Sequence, residues 1–260
     1  MQIALIGLGK MGGNMVKRLL NGGHKVVAYD RDAAAVEKQV KEGATGASSL
    51  QDLVAKMSTP RAVWVMVPSG NPTEATIHEL SKLMSANDII IDGGNSNFRD
   101  SIRHAKELAE KNLRFVDVGT SGGIWGLANG YCMMAGGDES AYKHIEPALK
   151  TLAPHTPAQG DQPEKYGVSY FGKAGAGHFV KMVHNGVEYA MMQAYAEGFE
   201  LLKASEYGLD LYQITKVWNQ ASVVRSWLLE LAELAFQKDP GLDQLKAYVD
   251  DSGEGRWTVN

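Results

Sequence analysis

The chain has 260 residues, 44% hydrophobic and 22% charged, with a formal net charge of -4, a balance that supports a sizeable core and excludes a disordered chain. That charge offers no general attraction to nucleic acid or an anionic membrane, so a small-molecule partner held by local groups is expected. No stretch approaches the ~20 apolar residues of a membrane span, and the chain enters its first apolar run without a basic leader, so a cytoplasmic address is expected.

In chain order, short apolar runs at Ile3–Ile6, Val26–Tyr29, Val63–Val67, Ile89–Asp92 and Phe115–Val118 read as strands. Helical patterns such as Asn14–Leu20 and Thr73–Met84 lie between them, an alternation that predicts βαβ units and a parallel sheet. A further strand is expected at Tyr131–Ala135, with the single cysteine, Cys132, as a buried thiol, and a helix at Glu139–Leu152. Strand signals then stop. Helices are expected from Ala176 to about Glu206, and at Leu211–Asn219, Ser226–Gln237 and Leu242–Val249, with Asp239, Pro240 and Gly241 breaking the last two apart. This divides the chain into a dinucleotide-binding domain, 1–172, and a helical catalytic and dimerisation domain, 173–260.

Gly7, Gly9 and Gly12 form G-x-G-x-x-G directly after the first strand and at the start of a helix. In that context the glycines permit a tight turn, close backbone approach to a pyrophosphate and close helix–strand packing. The fold expected is therefore α/β, a Rossmann-type doubly wound parallel sheet followed by an all-α domain. Asp30, at the end of the second strand, can accept hydrogen bonds from a ribose, which favours NAD. Arg31 could instead pair with the extra phosphate of NADP or stack over the adenine, but Asp30 and Asp32 flank it and would repel that phosphate. NAD is the expected cofactor, with NADP as the alternative. His24, His78, His104, His144 and His155 are scattered without ligand spacing, so no metal site is expected.

The segment from Lys181 to Tyr189 carries the chemistry. At ~100° per residue, Lys181, His184, Asn185 and Glu188 fall at i, i+3, i+4 and i+7 on one helix face, with Tyr189 at its edge. Val180, Val183, Val187, Ala190 and Met191 form the opposite stripe and are expected to face the core. A lysine and a glutamate two turns apart suit a reaction that removes one proton and returns another.

Gly7-Leu8-Gly9-Lys10-Met11-Gly12, Ile91-Asp92-Gly93-Gly94-Asn95-Ser96, Gly119-Thr120-Ser121-Gly122-Gly123 and, above all, Phe179-Val180-Lys181-Met182-Val183-His184-Asn185-Gly186-Val187-Glu188-Tyr189 resemble the 6-phosphogluconate dehydrogenases over nearly the whole chain. The resemblance implies an NAD(P)-dependent oxidative decarboxylation of 6-phosphogluconate in a homodimer or higher homo-oligomer. It implies Lys181 as general base and stabiliser of the developing enolate, and Glu188 as the acid that protonates the enediol. Asn95 would lie between nicotinamide and substrate, Ser121, Gly122 and Gly123 at the carboxylate, His184 and Asn185 at the hydroxyls, and Tyr189 toward the phosphate. The loop from Gly7 through Leu8, Gly9, Lys10 and Met11 to Gly12, together with Val67, Pro68 and Ser69, would contact the cofactor.

Two departures accompany the resemblance. The family's long form has a phosphate-binding lysine shortly before its Lys/Arg-Trp-Thr run, whereas residues 251–255 hold no basic residue. The family's further phosphate-binding arginine and dimer-forming helices would lie beyond Asn260, so a C-terminal part is expected to be missing. A 3-hydroxyisobutyrate-type dehydrogenase is the nearest rival, and Glu188 separates the two, because simple hydroxyacid oxidation needs no proton returned to carbon. A non-catalytic dinucleotide sensor is the rival of another class, and it should lack the Lys181–Tyr189 face.

Overall fold

The computed structural model describes residues 1–160, 162–245, 253 and 255–259, and it forms two compact units, Met1–Met182 and Val183–Asn260. The first unit opens with β1 (Gln2–Ile6), α1 (Lys10–Asn21), β2 (Lys25–Tyr29), α2 (Ala33–Lys41), β3 (Thr45–Gly46) and α3 (Leu50–Ala55). It continues with β4 (Ala62–Val65), α4 (Asn71–Leu83), β5 (Ile89–Asp92), α5 (Phe98–Ala109) and β6 (Arg114–Ser121). Next come α6 (Gly126–Asn129), β7 (Cys132–Gly137), α7 (Glu139–Leu152), β8 (His155–Thr156), β9 (Lys165–Tyr166) and β10 (Val168–Tyr170). Helix α8 (Ala176–Ala204) starts in the first unit and runs into the second.

Eight strands make one sheet in the order β10-β7-β6-β5-β4-β1-β2-β3, and β8 and β9 pair apart from it. Strands buried on both faces read as continuous apolar runs, and successive residues of β1 feed opposite sides. Ile3 and Leu5 pack with Met15, Val16 and Leu19 of α1 and with Ile145 and Leu149 of α7. Ala4 and Ile6 pack instead with Leu53, Ile77, Leu80 and Leu108 from α3, α4 and α5. This two-sided cover is the doubly wound arrangement.

The expected doubly wound parallel sheet carries one antiparallel pairing. β7 runs antiparallel to β6, and β10 is parallel to β7, so the sheet is mixed. The link 122–131 is too short for the crossover of a dozen or more residues that a parallel return requires. The boundary expected at 172/173 lies in the link between β10 and α8, whereas the compact units divide after Met182.

One side chain ties the α1 layer to α7. Arg18 donates from Nε to the carbonyls of Thr151 and Leu152, both at 3.0 Å, from Nη1 to Leu127 at 3.2 Å and from Nη2 to Ala153 at 3.1 Å. These carbonyls include the last of α7, which lack intrahelical partners and carry the negative end of the helix dipole. Arg18→Met is expected to lower unfolding free energy by about 2–4 kcal/mol, since hydrogen bonds to a charged group contribute about 1.5–3 kcal/mol each and are not additive. Urea denaturation checks this, and an unchanged midpoint would show the guanidinium to be replaceable by packing.

The second unit holds the rest of α8, α9 (Leu211–Trp218), α10 (Trp227–Lys238) and α11 (Arg256–Val259). Phe199, Leu211, Leu229 and Phe236 form its core, with Phe199 edge-on to Phe236 at 4.9 Å between ring centres. Asp210 and Ser226 cap α9 and α10 by accepting from Gln213 N and Leu229 N. Of the helix expected at Leu242–Val249, Leu242 has no regular structure and residues 243–245 are turn and bend rather than helix. Residues 246–249 lie outside the described residues, as do Asp251, Ser252 and Glu254. No described helix is long and apolar enough to cross a membrane.

Candidate active site

The glycine loop lies between β1 and α1, at the carboxyl edge of the parallel strands, where ligands of such sheets bind. Gly7 has φ of +92°, and a Cβ there would meet the Met66 backbone. A Cβ on Gly12 would collide with the Gly7 carbonyl, whereas one on Gly9 would meet nothing within 4 Å. Gly7 and Gly12 are thus needed for the turn and packing, while Gly9 faces open space. The α1 N-terminus has no side-chain cap and no acidic residue in its first turn. Uncapped N–H groups and the positive helix end suit a pyrophosphate, so the residues present fit a dinucleotide.

Asp30 does more than the sequence suggests. Its carboxylate accepts from Leu8 N at 2.6 Å and Asp32 N at 2.9 Å, so it pins the glycine loop to the end of β2. Each oxygen retains a lone pair for a further donor. Arg31 is exposed beside it. Val67 and Ser69, both half-buried, and exposed Pro68 follow β4. Asn95 follows β5 after Gly93, where a Cβ would strike the Trp64 indole. Ser121 closes β6, and Gly122 and Gly123 turn the chain with φ of +133° and +50°.

Lys181 sits 8% exposed in the first unit. A Cβ added to Gly119 would fall inside contact distance of Lys181 Cβ, 2.9 Å from its Cγ and 3.1 Å from the Gly177 carbonyl. A Cβ on Gly136 would lie 2.7 Å from Gly177 N, and one on Gly177 would press on the Met134 and Asp117 carbonyls. Three glycines therefore let the first turns of α8 lie directly on β6 and β7. Farther along α8, the His184 imidazole Nδ1 lies 3.2 Å from Asn185 Oδ1 and 3.6 Å from a Glu188 carboxylate oxygen. Tyr189 is exposed, and a Cβ on Gly255 would lie 3.1 Å from its ring.

Two expectations are corrected here. Val183 and Val187 of the supposed core stripe are 47% and 55% exposed and Ala190 is also exposed, while Lys181 and Asn185 (1%) are buried. The period was legible and the polarity was inverted, because polar groups with internal partners can take the inward face. Cys132 is exposed rather than buried, since it only begins its strand, opposite Ser121. Enough protein still surrounds its sulfur to push the thiol up, with the Lys181 charge pulling the other way.

Residues 2–160 match the family model described as the NAD binding domain of 6-phosphogluconate dehydrogenase, and 177–260 match that of the 6-phosphogluconate dehydrogenase C-terminal domain. The chain belongs to the 6-phosphogluconate dehydrogenase family. A Haloferax volcanii NAD(+)-dependent, decarboxylating 6-phosphogluconate dehydrogenase is 43% identical over 260 residues, covering 100% of this chain and 83% of that one. Among solved structures, the Plasmodium falciparum 6-phosphogluconate dehydrogenase aligns with TM-score 0.88 at 30% identity, covering 100% of this chain and 57% of that one. A Mycobacterium tuberculosis 3-hydroxyisobutyrate dehydrogenase is more distant, with TM-score 0.71 at 25% identity over 87% of this chain and 72% of that one. Membership in the 6-phosphogluconate dehydrogenase family identifies the glycine-loop unit as its NAD-binding domain.

Sequence reasoning quoted Gly119 only as part of a family block, without its packing role, and missed Asp117 and Ser101. Gly119 had a signal, because a glycine inside a strand marks close approach by another backbone. Asp117 and Ser101 had none, since each works on a segment about sixty residues or more away.

Proposed function

We propose that the chain oxidises and decarboxylates 6-phosphogluconate to ribulose 5-phosphate and CO2 while reducing NAD, in the cytoplasm and as a homo-oligomer. The observation that carries this reading is a buried lysine, Lys181, held on Gly119 beside the nucleotide-binding edge of the sheet. His184, Asn185 and Glu188 follow it within two turns of the same helix.

NAD, held by residues 7–12, Asp30 and Val67–Ser69, would supply the hydride acceptor. Lys181 takes the C3 hydroxyl proton as the C3 hydride departs, leaving a 3-keto acid. The carboxylate is lost as CO2, and the electron pair of the broken C1–C2 bond forms an enolate, which the protonated Lys181 stabilises. Glu188 then gives a proton to the former C2, which becomes C1 of ribulose 5-phosphate. Asn95 orients the substrate against the nicotinamide, and Ser121, Gly122 and Gly123 hold its carboxylate end. His184 and Asn185 bind its hydroxyls, and Tyr189 reaches toward its phosphate. Val183, Val187, Leu201 and Val223 are exposed apolar side chains of the second unit that self-association would cover.

The test is release of CO2 together with NADH or NADPH from 6-phosphogluconate. Equal amounts of CO2 and NADH are expected, with kcat/KM for NAD above that for NADP by at least about tenfold, because Asp30 would face the 2′-phosphate. Reduced cofactor without CO2 would leave a simple hydroxyacid dehydrogenase. A preference for NADP would mean that Arg31 outweighs Asp30.

A further inference from the structure

We propose that Asp117 is a positioning residue for Lys181, a capping group supplied by the sheet to the helix that carries the base; the inference rests on the role given to Lys181 above. The need for it is local. α8 begins at Ala176, so the residue at its cap is Gly175, which has no side chain to offer. Its φ is +90°, and a Cβ there would lie 2.7 Å from Ile102 Cγ1 and 2.9 Å from the Phe98 carbonyl. A serine or aspartate therefore cannot replace it.

Asp117 on β6 is fully buried. One carboxylate oxygen accepts from Gly175 N and the other from His178 N, both at 2.8 Å. These are the N–H groups of the cap residue and of the third helical residue, the same two that a local capping box satisfies with two side chains. Here one distant carboxylate takes both. No ion pair among the described residues involves Asp117, so its charge is met by these N–H groups and by the positive end of the helix.

His178 extends the anchor. Its Nδ1 shares a 2.7 Å hydrogen bond with Ser101 Oγ on α5, and both side chains are buried. The first turn of α8 is thus tied to β6 through its backbone and to α5 through a side chain. Together these ties fix how far the helix is advanced and how it is rotated. Lys181 stands one turn beyond His178, and its Cβ is set by that rotation against Gly119. A loss of the cap should let the turn shift by a fraction of an ångström, and catalysis is sensitive on that scale.

Asp117→Asn keeps the shape but replaces one acceptor with a donor facing an N–H. The measurement uses the full chain with 6-phosphogluconate and NAD. The expected result is a fall in kcat of about tenfold or more, an unchanged Kd for NAD, and a larger primary isotope effect with deuterium at C3. Adding Asp117→Asn to Lys181→Met should cost nothing further, because the cap acts through the lysine it positions. Asp88→Asn is the matched control. Asp88 is another fully buried carboxylate, accepting from Arg61 N at 2.7 Å and Ser85 N at 2.9 Å but also paired with the Arg61 guanidinium at 2.8 Å, and its loss should lower Tm while kcat stays put. If Asp117→Asn does not fold, Ser101→Ala removes the side-chain tie alone and should reproduce a smaller kcat loss. Normal kcat in Asp117→Asn or in the substitute Ser101→Ala, beside an inactive Lys181→Met, overturns this inference alone, as does a loss that multiplies with Lys181→Met. Full oxidation by Lys181→Met overturns the base assignment and this inference with it.

Discussion

Lys181→Met is expected to slow oxidation of 6-phosphogluconate by about 10² to 10⁴-fold, the usual scale for loss of a general base, while NAD still binds. The glycine loop and Asp30 form contacts that do not include Lys181, so cofactor affinity reports the fold and the hydride step reports the base. Methionine is close to lysine in length and apolar stem, so packing on Gly119 should persist. Glu188→Gln should behave differently. It keeps the shape but has no carboxyl proton to give, so NADH should form in a first turnover while overall turnover falls and a solvent isotope effect on the late step grows. Unchanged turnover in Glu188→Gln would sink its role as acid and revive the simple hydroxyacid reading.

Gly119→Ala is expected to lower kcat by about 10²-fold, although the change adds one methyl to a residue that bears no chemistry. The new Cβ would fall inside contact distance of Lys181 Cβ and 2.9 Å from its Cγ, so α8 must move away from β6. Overpacking of this kind costs typically about 1–3 kcal/mol of stability, and displacement of a reacting group by about 1 Å costs about 10²-fold in rate. Both effects can be read on one sample, Tm by thermal unfolding and kcat by NADH formation, with NAD binding as the control. A normal kcat with a lowered Tm would show that Lys181 tolerates the shift and that its placement is looser than the packing implies.

Much of this arrangement could be read from residue order. The Gly7–Gly12 spacing after an apolar run specified the tight β1–α1 turn, because the turn at Gly7 and the packing at Gly12 each demand glycine at a set position. Lys181, His184, Asn185 and Glu188 could be grouped because helical spacing is a local property. Which way that face points is not local, and there the reading inverted: Val183 and Val187 are exposed and Asn185 is buried. The direction of β7 was likewise hidden, since a strand's own residues do not report its partner; only the shortness of the 122–131 link did. Three-residue β10 and two-residue β3 are too short to show a period. Asp117 looked like one more polar residue in an apolar run, and its meaning came only from the N–H groups that the fold brings to it.

The reversal of direction at β7 has a consequence for how the substrate's carboxylate end would be met. Because Ser121 pairs with Cys132 and Thr120 with Met133, residues 122–131 are a closed hairpin-like loop, clamped at both ends by ladder hydrogen bonds. Gly122, Gly123 and Gly130 take positive φ within it, and Tyr131 at its base is fully buried. Amides flanking the loop should therefore exchange with solvent late, with the sheet. A ligand meeting Ser121, Gly122 and Gly123 would find a surface already shaped, with little chain entropy left to lose on contact.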